Sequence, residues 1–235
     1  MVIPALVVFD LGGTIVRDRG EVPAAFTAAL ERAGIAFDAA EVAGWRGASK
    51  REVLDRLVKR HGGTASTGGD IYADFSSLLK ARYAATADLA LTAALSTFAE
   101  LKSAGVRIAL NSGFDRGIVD IVLSSVRPDA AMFDAIVCDG DVRRGRPAPF
   151  MIFRSMERTG VDDVRRVAVV GDTQFDLEAG WRAGAAWRIG VLSGAHDRAT
   201  LEQAPYTHIA ADCGAVPGIC LGMPAVGAED IRRYV

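Results

Sequence analysis

The chain has 235 residues, half of them hydrophobic, and a net charge of −2 at pH 7, which suffices for one hydrophobic core with a small second domain. No run of Lys and Arg reaches the density of a nucleic-acid footprint, and the longest apolar run is too short to span a bilayer. We therefore expect a cytoplasmic protein that binds neither nucleic acid nor a membrane.

The first predicted element is a buried strand that ends in a single acid. Residues 2–9 are almost continuously apolar, as expected of a strand covered on both faces of a parallel sheet. Asp10 follows directly, and Gly12 and Gly13 allow a tight turn after it. Ligands bind outside the carboxyl ends of strands in open α/β sheets, so Asp10 is a candidate nucleophile or metal ligand. The alternative is a loop Asp that caps the next helix.

The next segment, from about residue 18 to residue 88, has apolar residues at helical spacing and no convincing strand. We expect the glycine-rich stretch at 62–69 to separate two of its helices. A helical block directly after the first strand is typical of a cap domain that supplies substrate contacts and excludes water. We therefore divide the chain into a core, residues 1–17 and 89–235, and a cap, residues 18–88.

Beyond the cap, apolar strands alternate with helical segments. Strands are predicted at 106–110, 135–138, 167–170 and 187–191, and helices at 94–104, 116–125, 149–159 and 175–183. Several of these helices are followed by glycine, which commonly ends a helix. The alternation indicates βαβ units, so the predicted fold is α/β: a Rossmann-like parallel sheet with an inserted helical cap.

Four short motifs follow predicted strands, where the fold would bring them to one edge of the sheet. They are Asp10, Asn111-Ser112-Gly113, Gly145-Arg146-Pro147, and Gly171-Asp172 with Asp176 four residues further on. The hydroxyl of Ser112 and the adjacent backbone N–H groups can hold an anionic oxygen, and Arg146 can neutralise a phosphoryl group. Taken singly, Ser112 would be an ordinary turn residue, Arg146 a solvated surface charge and Asp176 an acid in the first turn of a helix.

The two acids Asp10 and Asp172 together suit Mg²⁺, which takes few protein carboxylates and keeps water and substrate oxygens. The three histidines and three cysteines are scattered without metal-ligand spacing, which gives little support to a zinc site. The sequence therefore predicts a Mg²⁺ cofactor and a small-molecule partner that carries a phosphoryl group.

With these motifs in this order, the chain resembles the haloacid dehalogenase superfamily of hydrolases, in the branch with a helical cap after the first core strand. The resemblance implies that Asp10 is the nucleophile and forms an aspartyl-phosphate, and that Arg146 stabilises charge. It implies phosphate binding by Ser112, Gly113, Gly13 and Arg146. The implied Mg²⁺ site consists of Asp10, the carbonyl of Gly12, Asp172 and Asp176, and Thr14 is expected to brace the nucleophile loop.

Position 12 departs from the pattern of the superfamily's phosphatases. They carry a second Asp there, which protonates the leaving alcohol, whereas this chain has Gly12. General acid–base help is worth roughly 10²–10⁴ in rate. Phosphonoacetaldehyde hydrolases, another branch, have a small residue at this place and cleave a P–C bond through a Schiff base on a cap lysine. Lys50 stands where that lysine is expected, and residues 145–151, GRPAPFM, resemble the GRPxPWM stretch of that branch.

The likeness to that branch is incomplete, because Arg46, Val53 and Gly20 replace its usual Met, His and Cys. The predicted function is therefore phosphonatase-like hydrolysis of a small phosphonate or phosphorylated metabolite. Three alternatives stay open: a phosphate monoester phosphatase of the phosphoglycolate type, a haloacid dehalogenase, and a non-catalytic protein that binds a phosphorylated metabolite. Phosphonatase relatives pair through their caps, which implies a homodimer by analogy.

Overall fold

The computed structural model describes residues 2–86, 93–126 and 132–222. Its strands are β1 (Leu6–Asp10), β2 (Arg107–Ser112), β3 (Ala135–Cys138), β4 (Val167–Gly171), β5 (Trp187–Val191) and β6 (His208–Ala210). They form one sheet in the order β3-β2-β1-β4-β5-β6, and every neighbouring pair is parallel. The predicted α/β fold with a Rossmann-like parallel sheet is confirmed.

Strand β1 lies inside the sheet because it is apolar on both faces. Val7 and Phe9 pack into the core on one face, and Leu6 and Val8 into the core on the other. β1 pairs with β2 on one side and β4 on the other. The direction of strand order reverses there, so the carboxyl end of β1, at Asp10, is the switch point at which such sheets bind ligands.

Five described helices lie between β1 and β2 in the chain, and we call the first four of them the helical insertion. These four are α1 (Glu21–Arg32), α2 (Ala39–Gly44), α3 (Lys50–Arg60) and α4 (Ala65–Ala85). Helix α4 packs along both α1 and α3. The rings of Phe26 and Phe75 meet edge to face between α1 and α4, with 5.6 Å between their centroids.

The remaining described helices belong to the sheet domain. They are α5 (Ala94–Ser103), α6 (Arg116–Val126), α7 (Phe150–Thr159), α8 (Gln174–Ala183), α9 (Arg198–Leu201) and α10 (Val216–Gly222). Phe98 of α5 and Ile118 of α6 cover one face of the sheet, and Ile152 of α7 and Ala179 of α8 cover the other. No helix within the described ranges combines the length and the apolar character that a membrane crossing requires.

Two predicted boundaries are wrong. The first strand begins at Leu6 rather than at residue 2, since Pro4 has no N–H to donate to a neighbouring strand. The stretch 62–69 does not separate two helices over its whole length, because α4 begins at Ala65. Gly68 therefore lies inside α4, where a Cβ would come 2.8 Å from Oδ1 of Asp55 in α3, so its small size lets the two helices approach closely.

Four further elements, α2, α9, α10 and β6, have no counterpart in the prediction. All are short, at six, four, seven and three residues, and none has enough residues for a period to be recognised. The predicted boundary near residue 88 and the last residues, 223–235, lie outside the described residues. The division into core and cap therefore stays a prediction.

Candidate active site

A cleft opens at the carboxyl edge of the sheet, between the sheet domain and the helical insertion. Of the residues singled out in the sequence, its lining includes Asp10, Gly12, Lys50, Ser112, Gly113, Arg146 and Asp172. Gly13 and Asp176 lie outside this lining, and each of them contacts a residue that belongs to it. Thr14 is buried, and its hydroxyl has no hydrogen-bond partner among the described residues.

The turn after β1 depends on two glycines in different ways. Gly13 has a φ of +80°, which a side chain rarely tolerates, and its N–H donates to the carbonyl of Val16 at 2.6 Å. A Cβ on Gly13 would also overlap the carboxylate of Asp172. A Cβ on Gly12, in contrast, would meet no atom within 4 Å. Gly13 thus permits the close approach of Asp172, and Gly12 leaves open space.

Arg146 bridges two buried carboxylates. Its Nη1 lies 2.6 Å from Oδ1 of Asp10 and also contacts Oδ1 of Asp176. Burying a carboxylate is costly unless it is paired, so this guanidinium is what allows both acids to lie in the interior. The Nε of Arg146 is buried without a hydrogen-bond partner in the described part of the chain. The guanidinium itself lines the cleft, so an anionic ligand there could accept from it.

Asp176 is held by the start of α8. Its Oδ2 accepts hydrogen bonds from the hydroxyl of Thr173 at 2.6 Å and from the N–H of Thr173 at 3.2 Å, which makes a capping box. Since its other oxygen contacts Arg146, both oxygens are engaged within the protein. In this arrangement Asp176 fixes the position of the Arg146 guanidinium.

Asp172 lies at the end of β4 and is 3% exposed. Burial, and then the negative charge of Asp10, raise the pKa of Asp172 to about 7. Its Oδ2 accepts a hydrogen bond from the N–H of Ala195 at 2.6 Å, in the loop after β5. The same loop is tied to the Asp10 turn, because the hydroxyl of Ser193 donates to the carbonyl of Gly13 at 2.7 Å.

Asp10 and Asp172 are the side chains that could hold a metal ion, whereas Asp176, which was also predicted as a ligand, has both oxygens engaged by Thr173 and Arg146. Two like charges in a buried site repel each other, and a divalent cation between them would remove that repulsion. The described residues contain no group of three or more His, Cys, Asp or Glu side chains that could hold a metal. Two carboxylates, with the Gly12 backbone in the same lining, fit a cation such as Mg²⁺ that keeps several waters.

The end of β2 supplies a second group of polar atoms. Ser112 is buried, and its hydroxyl accepts a hydrogen bond from the N–H of Phe114 at 3.2 Å. Gly113 lies over the guanidinium of Arg146, since a Cβ built there would come 3.5 Å from Nη2. A hydroxyl, a turn of backbone and a guanidinium thus meet in one part of the cleft, which suits an anionic group.

Lys50 is the first residue of α3, and it lines the cleft from the helical insertion. Its ammonium group donates to the carbonyls of Trp45 at 3.0 Å and Ala48 at 3.1 Å. Burial, and then the positive charges of Arg146 and Arg46, lower the pKa of Lys50 to about 8. No carboxylate of the described residues lies within ion-pair distance of its Nζ. A minor fraction of this lysine is therefore a neutral amine near physiological pH.

Polar contacts hold the helical insertion against the sheet domain. The N–H of Gly145 donates to Oε1 of Glu52 at 2.8 Å, next to Arg146 in the chain. The hydroxyl of Ser76, in α4, donates to Oδ2 of Asp115 at 2.6 Å. The first contact ties α3, the helix that begins with Lys50, to the segment that contains Arg146.

The sequence did not single out Asp18, which also lines the cleft. Its Oδ2 pairs with Nη2 of Arg46 at 2.7 Å, and its Oδ1 accepts from the N–H of Gly20 at 2.9 Å. Asp18 lies in the connection to α1, where no motif or periodicity distinguishes one acid from another. Arg46, its partner, is the nearby residue that the sequence does single out, because it replaces the usual Met of the phosphonatase branch.

Comparison with known proteins assigns the chain to a family of hydrolases. Residues 4–184 match the family model described as haloacid dehalogenase-like hydrolase. A phosphonoacetaldehyde hydrolase of Vibrio cholerae is 29% identical over 217 residues, which are 86% of this chain and 79% of that protein. One of Bacteroides fragilis is 29% identical over 140 residues, or 59% of this chain, and the match spans only about half, 53%, of that relative.

A solved structure gives the same fold. The phosphonoacetaldehyde hydrolase-like protein of Oleispira antarctica superposes with a TM-score of 0.81 at 20% identity, over 94% of this chain and 92% of that chain. At this identity the likeness concerns the fold.

The two glycines after β1 should respond differently to a methyl group. Gly13→Ala should lower the free energy of unfolding by at least about 2 kcal/mol, because it combines a left-handed backbone with overlap on Asp172. Gly12→Ala, the matched control, should change it by less than about 0.5 kcal/mol. Urea denaturation of both variants measures the difference, and equal losses would contradict this description of the turn.

Proposed function

The chain belongs to the haloacid dehalogenase-like hydrolases, and we propose that it cleaves the phosphorus–carbon bond of a small 2-oxoalkylphosphonate. The observation that carries the proposal is Lys50, a buried lysine with a lowered pKa in the same cleft as Asp10. Phosphonoacetaldehyde, which appears in the names of the relatives, is the simplest aldehyde of this class. A carbon leaving group of this kind also accounts for Gly12.

The phosphonate group binds where Ser112, Gly113 and Arg146 meet. The guanidinium of Arg146 and the backbone at Gly113 are donors for its oxygens. Mg²⁺, when bound by Asp10, Asp172 and the carbonyl of Gly12, would neutralise charge on the phosphonate. Asp176 acts as a positioning residue, because it holds the guanidinium of Arg146 beside the nucleophile.

The carbonyl group of the substrate reaches Lys50. A pKa of about 8 leaves about a tenth of the amine neutral at pH 7, against less than about 0.1% for an ordinary lysine. The neutral amine adds to the carbonyl carbon, water leaves, and the nitrogen takes up one proton from solvent, which gives a protonated Schiff base. This cation next to the phosphonate-bearing carbon can accept an electron pair from the P–C bond.

Asp10 then attacks phosphorus in line with the P–C bond. The Asp10–phosphorus bond forms, the P–C bond breaks, and its electron pair moves into the Schiff base to give an enamine. The enamine carbon takes up a proton, and water releases the carbonyl product from Lys50. A second water hydrolyses the aspartyl-phosphate. No alkoxide departs at any step, so a general acid at position 12 is not needed.

A monoester phosphatase, the main alternative, would need a carboxyl group that can protonate an alkoxide. Asp18 is the other candidate carboxylate in the lining of the cleft besides Asp10 and Asp172. Both of its oxygens are already engaged, one by Arg46 and one by the N–H of Gly20. This arrangement favours the P–C reaction over monoester hydrolysis.

Replacing the amine while keeping its charge tests this function. Lys50→Arg should reduce phosphate release from phosphonoacetaldehyde with Mg²⁺ by at least about 100-fold, because a guanidinium cannot form the Schiff base. Lys80→Arg is the matched control, since Lys80 pairs with Asp115 outside the cleft, and it should keep the activity of the unchanged protein. Near-full activity of Lys50→Arg would exclude the proposed chemistry.

Restoring an acid at position 12 should redirect the reaction. A side chain fits there without a clash, so Gly12→Asp should raise hydrolysis of phosphate monoesters such as phenethyl phosphate by about 100-fold. Gly12→Asn, which has the same shape but no acid, is the control and should give no such gain. Steady-state rates of both variants measure the effect, and equal rates would show that the missing acid does not limit monoester turnover.

A further inference from the structure

A second cavity lies within the helical insertion, between α1, α2 and α3. Its volume is about 220 Å³, and the side chains that line it are mostly apolar. They include Phe26 of α1, Val42 of α2, Val53 of α3 and Trp45. An engineered apolar cavity of about 150 Å³ binds benzene, so this one has room for a group of at least that size.

The cavity adjoins the cleft along one wall. Val22, Arg46 and Lys50 belong to the lining of both spaces. The ammonium group of Lys50 donates to the carbonyl of Trp45, which lines the cavity, and to that of Ala48, which lines the cleft. Lys50 therefore stands at the border between an anion-binding space and an apolar space.

The polar side chains of the cavity already have partners. The hydroxyl of Thr27 donates to the carbonyl of Pro23 at 3.0 Å, and Arg46 pairs with Asp18. A polar occupant such as a sugar would lose more hydrogen bonds to water than this mostly apolar lining could replace. An apolar occupant loses none and gains by leaving water.

We propose that the substrate is a ketone of the 2-oxoalkylphosphonate class, with an apolar group of about benzyl size on its carbonyl carbon, and that this cavity binds that group. The inference rests on the proposed function, because it places the carbonyl carbon at Lys50. With the phosphonate at Arg146, the remaining substituent on that carbon is directed past Lys50 into the cavity. The net reaction consumes one water and gives phosphate and the methyl ketone, with no oxidant or reductant.

The test compares two unconjugated ketones that differ in this group alone. 2-Oxo-3-phenylpropylphosphonate carries a benzyl group and 2-oxopropylphosphonate a methyl group. The kcat/KM for the benzyl ketone should be about 10- to 100-fold higher, as burial of a group of this size predicts. Equal values for the two ketones would overturn the inference and leave the proposed function standing.

A substitution that fills the cavity tests the same inference. Val42→Trp should reduce the benzyl-to-methyl ratio of kcat/KM to about one, because Val42 lines the cavity. Ala40→Trp is the matched control: Ala40 is an exposed residue of the same helix and lies outside the lining, so its ratio should be that of the unchanged protein. A preserved preference in Val42→Trp would place the benzyl group elsewhere and overturn the inference.

Calorimetric binding separates the two proposals. Titration of both ketones into Asp10→Asn should give 10- to 100-fold tighter binding of the benzyl ketone, with a more negative heat-capacity change. If neither ketone is hydrolysed by the unchanged protein but this difference is present, the P–C reaction fails and the apolar site stands. Equal affinities and heat-capacity changes would overturn the apolar site.

Discussion

The repulsion between two buried carboxylates at the end of β1 is the constraint on which the rest of the site depends. Asp10 and Asp172 come from neighbouring parallel strands, so the sheet itself brings them together. Their burial is tolerated because Arg146 pairs with Asp10 and the N–H of Ala195 donates to Asp172. The absence of a side chain at Gly13 lets the two loops meet. The polar contacts around Asp10 and Asp172 stabilise the negative charge of these two carboxylates.

The helical insertion adds a cationic group, the ammonium of Lys50, that loses its proton more readily than an ordinary lysine. Arg146 must stay charged to balance the carboxylates, and a guanidinium does so at any physiological pH. Lys50 has no carboxylate partner among the described residues, and burial, followed by the positive charges of Arg146 and Arg46, lowers its pKa. In the proposed function, the sheet domain binds the phosphorus end of the substrate and the insertion binds its carbon end. Gly12 leaves the space between them open.

Local patterns predicted the fold and the family, because they depend on residues close in sequence. The apolar run before Asp10, the alternation of strands with helices and the four motifs at strand ends led to the parallel sheet and to the haloacid dehalogenase-like family. Helix α2 and strand β6 are too short to carry a period. Gly68 lies inside α4 rather than between two helices, because its small size serves the close approach of α3 to α4. That approach is a tertiary contact, which local sequence patterns do not reveal.

What sequence could not predict in the site depends on distant contacts. The pairing of Asp18 with Arg46 and the apolar cavity beside Lys50 arise only when α1, α2 and α3 pack together. The roles of the site residues, the Mg²⁺ cofactor, the homodimer and the cytoplasmic location stay predictions.

The central claim is that Lys50 forms a covalent bond to the carbonyl carbon of the substrate, and reductive trapping tests it most directly. The protein would be mixed with Mg²⁺, phosphonoacetaldehyde and sodium borohydride, digested, and mapped by mass spectrometry. The account predicts a reduced N-alkyl adduct on the peptide that contains Lys50, formed as activity is lost. Phosphate release without an adduct at Lys50 would contradict it.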